Sequence, residues 1–277
     1  MRVAFQGEAG AFSEQAALEY FPTPIETLPC HSFDDVFDSV VNGTADSGIL
    51  PIENSLAGSI HRNYDLLLRH DLYIMAEYHL RVSHCLLSLP GVKLSEITRV
   101  HSHPQALAQC EANLLALNLE QVVEADTAGS ARWLSQSGNR QSAAIASKRA
   151  AEVYGLQILR DQLEDNLANF TRFIILSKNP PDIQDPESGN YKTSIVFSLN
   201  NQPGILFKAM SVFALRDIDL TKIESRPLPG YPWEYIFYID FVGHNHSSVC
   251  TRALDHLMEL TTYYRLLGSY PRHLIQY

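Results

Sequence analysis

The stretch NLANFTRF, Asn166 to Phe173, brings an amide, a hydroxyl and a guanidinium within four residues, at Asn169, Thr171 and Arg172. An arginine at the mouth of a strand is a natural carboxylate clamp, because guanidinium binds bidentately and stays charged. Thr171 adds a hydroxyl, and Asn169 offers both a donor and an acceptor. A linker-proximal edge strand carrying a solvated arginine would give the same pattern on periodicity alone. Four further segments set small or polar residues after a strand and before a helix: GEAGAFS (Gly7 to Ser13), PIENSLAGS (Pro51 to Ser59), SHPQAL (Ser102 to Leu107) and DTAGSA (Asp126 to Ala131). Each alone is ordinary turn and cap chemistry. Together, in a doubly wound fold, they would line a cleft with hydroxyls and backbone N–H groups. Helix N-termini carry partial positive charge, so such a cleft suits carboxylates.

Other chemistries find no support. GEAGAFS is not GxGxxG, and a Walker A sequence is absent, so no nucleotide cofactor is expected. Glu53, His61, His79, His84, His101 and His103 lack metal spacing. His101 and His103 would share a strand face, yet no carboxylate partner follows, and no metal is expected. The four cysteines, Cys30, Cys85, Cys110 and Cys250, form no CxxC pair and read as buried free thiols in a reducing cytoplasm. Against 21 Lys+Arg stand 31 Asp+Glu, a net charge of -10. That excess gives no general field for nucleic acid or anionic membranes. The apolar start of MRVAFQGEAGAF is broken by Gln6 and Glu8 and reads as a strand entering a turn, not as a secretory signal. No apolar run reaches the about 18 residues of a membrane span.

The elements that must position these residues fall into two parts. KNPPDIQDPESGNYK, Lys178 to Lys192, has the composition of a linker. Before it, strands and helices alternate. Arg2 to Gln6 is a strand, and Ser13 can cap a helix through Phe21. Ser32 opens a capping box with Asp35, and Phe33, Val36, Phe37, Val40 and Val41 form one stripe ending at Gly43. Asp46 to Ile52 is a strand; Ile60 to Arg69 is a helix with Tyr64, Leu67 and Leu68 on one face. Leu72 to Leu87 gives two strand-like runs. Pro104 suits a first helical position, with Leu107, Cys110, Leu114 and Leu117 along one side. Thr127 can cap the next helix. Ala143 to Ala146 is a strand, Ser147 caps a helix ending at Gly155, and Phe173 to Leu176 is a last strand. Such alternation predicts a mostly parallel sheet covered on both faces, an α/β fold. After the linker come a strand (Thr193 to Leu199), a turn at Pro203-Gly204, and a helix (Ile205 to Leu215) with Leu206, Ala209, Met210 and Phe213 inward. Then follow a strand (Ile218 to Ser225), a hairpin connection (Pro227 to Pro232), a strand (Glu234 to Val242), a helix (Ser248 to Leu260) and a strand (Thr262 to Leu267). The order βαββαβ is ferredoxin-like.

NFTRF resembles the N-x-TRF motif of prephenate dehydratases. GEAGAFSEQAA, LPIENSLAGSI, HSHPQAL, DTAGSA and AIASKRAAEVYGL are similar to the family's other motifs, in its order. QPGILFKAM and KIESRP resemble the two effector motifs of the ACT regulatory domain. IENSLAGSIHRNYDLLLRHDLYI looks like the plant-type branch, many members of which prefer arogenate. Ala11-Phe12 stands where Ala-Tyr or Thr-Tyr is common, and Ile205-Leu206 replaces an Ala-Leu pair.

The resemblance implies a two-lobed, periplasmic-binding-protein-like catalytic domain over residues 1–180 and an ACT domain over residues 193–270. The lobes would be residues 1–76 with 161–180, and 77–160, with crossings near Ile74 to Glu77 and Leu159 to Leu163. It implies loss of water and carbon dioxide from prephenate, or from arogenate, without a cofactor. Thr171, Arg172 and Phe173 would be catalytic, Thr171 at the leaving hydroxyl and Arg172 on the side-chain carboxylate. Asn54, Ser55, Gly58, Ser59, Ser102, Gln105, Thr127, Ser130 and Asn169 would bind substrate. L-phenylalanine would bind near Pro203, Gly204, Ile205 and Leu206 and near Glu224, Ser225, Arg226 and Pro227, between paired chains of a homodimer or homotetramer. The expected partners are thus small molecules and a second copy, with no nucleic acid or membrane, in the cytoplasm. A cytoplasmic amino-acid-binding regulator without catalysis is the competing reading, since a fold alone does not decide function.

Overall fold

Val3, Ala4 and Phe5 are fully buried, so their strand, β1 (Arg2–Gln6), needs neighbours on both edges and cover on both faces. The computed structural model describes residues 1–182, 185–188, 190–228 and 234–274 of the 277. They form two compact units, Met1–His70 with Tyr78–Ile174, and Asp71–Glu77 with Ile175–Tyr277.

In the first unit α1 (Phe12–Tyr20) joins β1 to β2 (Glu26–Cys30), and α2 (Phe33–Val41) leads to β3 (Ser47–Asn54). Both β2 and β3 run parallel to β1. Ser32 and Asp35 close the capping box of α2, and Val36, Phe37 and Val40 face inward; Val41, at the end of the stripe, is exposed. A turn at Gly58, whose φ is 80°, folds β4 (Gly58–Ser59) back on β3. Then come α3 (His61–Arg69) and β5 (Tyr73–Arg81).

The chain next builds a second sheet from β6 (Cys85–Ser88), β7 (Arg99–Ser102), β8 (Glu120–Val123), β9 (Ser142–Ala146) and β10 (Gln157–Arg160), in the order β10-β6-β9-β7-β8. Its helices are α4 (Pro104–Gln109), α5 (Glu111–Ala116), α6 (Thr127–Ser137) and α7 (Lys148–Tyr154). Strand alternation splits the packing between two faces. Leu86, Ala143 and Ile145 meet Leu107, Cys110 and Leu114 on one side. Cys85, Leu87, Ala144 and Ala146 meet Ala131, Leu134 and Ala150 on the other. The chain returns as β11 (Phe170–Ser177), which enters the first sheet between β3 and β5.

The second unit is β12 (Tyr191–Leu199), α8 (Ile205–Ala214), β13 (Leu220–Pro227), β14 (Tyr235–Val242), α9 (Ser248–Leu260) and β15 (Thr261–Pro271). The antiparallel order β13-β14-β12-β15 is ferredoxin-like, compatible with the expected ACT domain. Ile195, Phe197, Ile239 and Phe241 pack beneath Val212 and Phe213 of α8 and Ala253 and Leu257 of α9. The opposite sheet face is buried but polar. There Ser194 donates to Asp240 at 2.5 Å, and Lys192 meets Glu77 at 2.7 Å.

Several expectations need correction. The second sheet is mixed, because β6 runs antiparallel to both β9 and β10; these strands carry the chain into and out of the lobe. The crossings come later than expected, at residues 82–84 and 161–169, because β5 continues to Arg81. Ser13 does not cap α1, which starts at Phe12 with Ala11 as N-cap. Thr127 is already helical, and Asp126 caps α6 through Gly129 N–H at 2.6 Å. Leu66, not Leu68, is buried beside Leu67 on α3, and Leu206 is exposed while Val212 turns inward on α8. Cys110 breaks the helix expected through Leu117 into α4 and α5. β12 starts inside the expected linker, at Tyr191. Residues 183–184 and 189 of that linker, and 229–232 of the expected Pro227 to Pro232 connection, lie outside the described residues.

Candidate active site

The end of β3 and the start of β11 lie side by side, which brings Asn54 to Asn169 and Thr171. The carboxamide of Asn54 is oriented by the backbone, since Oδ1 accepts from the N–H groups of Leu56 (3.0 Å) and Ala57 (2.9 Å). Its Nδ2 must then face the acceptors, Asn169 Oδ1 at 2.8 Å and Thr171 Oγ1 at 3.0 Å. Thr171 therefore accepts from Asn54, and its own proton is left for another partner. Asn169, with Oδ1 used, donates through Nδ2 to Gln109 Oε1 at 3.0 Å. His84 Nε2 lies 2.9 Å from the same oxygen. Asn54, His84, Asn169 and Thr171 are all buried. Burial pulls the His84 imidazole below its ordinary pKa, against the opposing bond from Gln109 and the charge of Glu164.

These groups wall a cavity of about 170 Å³ between the two sheets of the first unit. Thr171, Asn54, His84 and Gln109 are among its polar points, and Phe12, Phe173, Ile60 and Val82 give it apolar wall. A second chamber of about 540 Å³ adjoins it, sharing Phe12, Ser13, Ile60, His103, Gln105 and Thr127. Arg62 and His31 also line this outer chamber. The first residues of α1 and the N-cap of α3 stand in the common wall, and neither helix has a side-chain cap. The positive ends of two nine-residue helices thus border a cleft in a chain of net charge -10.

The expected site residues divide sharply. Asn54, Gln105, Thr127, Thr171 and Phe173 line the cavity. Asn169 stands behind it as the link between Asn54 and Gln109. Ser102 and Ser130 are buried and spend their hydroxyls on backbone carbonyls, Ile145 O and Asp126 O, both at 2.7 Å. Ser55 donates to Ala168 O and accepts from Phe170 N–H, clasping the loop after β3 to the start of β11. Gly58 and Ser59 form the small strand paired with β3. Arg172 lines neither chamber. Its neighbours Thr171 and Phe173 both line the cavity, and alternation along β11 sets Arg172 on the other side of the strand from them. His101 and His103 do not share a strand face either. β7 ends at Ser102, His101 meets Glu124 at 3.0 Å, and His103 caps α4. Gln109 and His84 were missed. Gln109 sat two residues beyond the segment singled out in α4, and a lone histidine after a strand carries no pattern. Among the described residues no cluster of three His, Cys, Asp or Glu side chains is set to hold a metal. Cys85, near the crossing, is no ready nucleophile, since burial and Asp161 push its pKa up to about 12.

In comparison with known proteins, the family model described as prephenate dehydratase matches residues 3–181. The chain is 49% identical to "Arogenate dehydratase/prephenate dehydratase 2, chloroplastic" of Arabidopsis thaliana, over 98% of this chain and 73% of that one. It is 47% identical to "Arogenate dehydratase 2" of Petunia hybrida, over 98% and 72%. Among solved structures it is similar to the prephenate dehydratase of Arthrobacter aurescens in complex with L-Phe, with TM-score 0.88, 32% identity and coverage of 98% and 90%. It is also similar to a chain described as GqqA, a novel type of quorum quenching acylase, with TM-score 0.92, 39% identity and coverage of 99% and 98%.

Proposed function

This chain belongs to the prephenate dehydratase family, and we propose that its cavity converts prephenate to phenylpyruvate, water and carbon dioxide as a carbon–oxygen lyase. Aromatisation of the ring supplies the drive. The barrier lies in expelling hydroxide, and the specific help is a hydrogen bond that strengthens as the C–O bond breaks. The observation that carries this reading is the orientation of Thr171. Its Oγ1 accepts from Asn54, so its proton is available to the leaving hydroxyl. A threonine is too weak an acid to hold a proton ready at neutral pH, and it acts as donor and relay. The carboxylates go to the positive ends of α1 and α3, and Arg62 in the outer chamber adds a cation. Acyl transfer fits the site less well, because the neighbour of the Thr171 hydroxyl is an amide, not a base.

Arogenate is the second reading. It carries an ammonium where prephenate has a keto oxygen. Arg62 is paired with Asp34 through Nη2 at 2.5 Å, and adjacent charges of both signs suit a zwitterionic side chain. The relatives named arogenate dehydratase point the same way. In the second unit, L-phenylalanine binds near Pro203 to Leu206, where Gly204 takes φ 79° as the N-cap of α8, and near Glu224 to Pro227 on β13. That edge strand exposes Ile223 and pairs with a second copy in a homodimer or homotetramer. Four buried free thiols fit a reducing compartment such as the cytoplasm.

The test measures kcat/KM in parallel on prephenate and arogenate, with and without L-phenylalanine. Turnover of at least one substrate, inhibited by phenylalanine, is expected. Ligand binding without turnover of either would make the chain a non-catalytic regulator.

A further inference from the structure

Gln109 Oε1 is approached from two sides, by Asn169 Nδ2 at 3.0 Å and by His84 Nε2 at 2.9 Å. The direction of each bond in this chain follows from its far end. The N–H groups of Leu56 and Ala57 can only donate, so Asn54 presents its oxygen to them and its nitrogen to Asn169 Oδ1. Asn169 must then offer Nδ2 to Gln109, and Gln109 Oε1 must accept. An accepting oxygen requires a donor on His84 Nε2. Neutral imidazole carries one ring proton, so Nδ1 is bare. Consistently, His84 Nδ1 is buried with no hydrogen-bond partner among the described residues. Burial also disfavours the doubly protonated ring.

With two donors on its oxygen, the Gln109 carboxamide cannot flip without facing N–H against N–H at Asn169. Its NH2 is turned away from both partners, and Gln109 lies in the cavity wall. Phe12 packs edge-on against the His84 ring, with centroids 5.4 Å apart and planes at 84°, which limits rotation of the imidazole.

We propose that His84, held as the Nε2–H tautomer, is a positioning residue that locks Gln109 so that its NH2 donates to a substrate oxygen beside the Thr171 hydroxyl. The inference rests on the dehydratase reading of the cavity. It adds a second oriented donor and a residue that never touches the substrate but decides which way that donor points. The opposite tautomer would set a lone pair against Gln109 Oε1 and release the carboxamide.

Two measurements on the full chain test it. In the first, His84→Leu keeps bulk without a donor, His84→Gln keeps a donor near the Nε2 position, and His84→Asn reaches only the Nδ1 position. His84→Leu and His84→Asn are expected to lower kcat by about 10²-fold with KM little changed, as for a misplaced reacting geometry. His84→Gln is expected to recover most of the loss. In the second, ring-nitrogen NMR of the wild type, with the His84 signal assigned by its loss in His84→Gln, should show the proton on Nε2 at neutral pH. Wild-type kcat in His84→Leu overturns the inference. So does a proton on Nδ1, or a His84→Gln variant as slow as His84→Leu at equal thermal stability. A wild-type chain that turns over neither substrate would instead defeat the functional reading, while the NMR result would still report the tautomer.

Discussion

Replacing Thr171 by valine separates chemistry from folding. The two side chains are close in shape, and the site is 7% exposed, so the substitution removes a hydroxyl and opens little space. In the folded chain the loss is one accepted hydrogen bond. Asn54 Nδ2 keeps Asn169 Oδ1 at 2.8 Å and Phe170 O at 3.2 Å. A net loss of about 1 kcal/mol in stability is expected. In the transition state the loss is the donor to the departing hydroxyl. Removing one such oriented donor costs about 10²–10³ in kcat, or about 2.7–4 kcal/mol. The two figures differ enough to be read apart. The assay follows phenylpyruvate by its ultraviolet absorbance under saturating substrate, beside a thermal melt of the same preparation. Thr171→Ser keeps the hydroxyl and should stay close to wild type. A Thr171→Val variant that melts normally and retains wild-type kcat would refute the donor role. Equal impairment of the serine and valine variants would also refute it, because the methyl group rather than the proton would then matter.

Acid should destabilise the fold through its buried and half-buried histidines. Burial lowers the pKa of His84 below 6.5, and His244 and His273 shift the same way, chiefly through burial. The unfolded chain therefore takes up these protons first, so stability is fully present above pH 6.5 and falls as pH drops below it toward the folded values. Melting temperatures across that range should decline, less steeply in His84→Gln; a flat profile contradicts the assignment. Lys192→Met removes the cation 2.7 Å from the buried Glu77 carboxylate and should cost about 3–5 kcal/mol in denaturant unfolding. The Lys192→Met/Glu77→Gln pair should recover much of it, and an additive double mutant would show the two residues act independently. Gly10→Ala places a Cβ 2.7 Å from Ala150 Cα at a backbone φ of +88°. The left-handed conformation alone costs about 1–2 kcal/mol, and the Ser147 hydroxyl bond to Gly10 O, 2.5 Å long, is strained with it. A lower melting temperature is expected, and unchanged stability would mean that the loop yields freely.

Local rules were the most legible part of the sequence. The Ser32–Asp35 capping box, Pro104 opening α4, Ser147 capping α7 and Gly155 ending it all depend on side chains within a few residues of one another. The second unit was equally readable, because each strand and helix of its βαββαβ order covers one face of one sheet. What failed was whatever needed two distant segments. Ser102 looks like a ligand hydroxyl in SHPQAL, yet it satisfies the carbonyl of Ile145, 43 residues away, which only the fold brings near. Gln109 and His84 lie 25 residues apart and meet at 2.9 Å, a proximity created by α4 lying beside the crossing from β5 to β6. The mixed direction of the second sheet was hidden for the same reason. Nothing within β6 or β10 says that these strands carry the chain between lobes.

The TRF motif shows why a contiguous motif need not be a contiguous site. Thr171, Arg172 and Phe173 occupy successive positions of β11, and a strand divides such a run between its two faces. Only the first and third can face one cavity, and they do. Arg172 is buried at 8% exposure, so its charge needs partners within the protein. Under the proposed dehydratase reading, the carboxylates would fall to the starts of α1 and α3, which carry no side-chain cap, and to Arg62. A site built this way would hold one carboxylate through backbone dipoles spread over several N–H groups. A grip spread in this way would favour the charged ground state less than a bidentate arginine would.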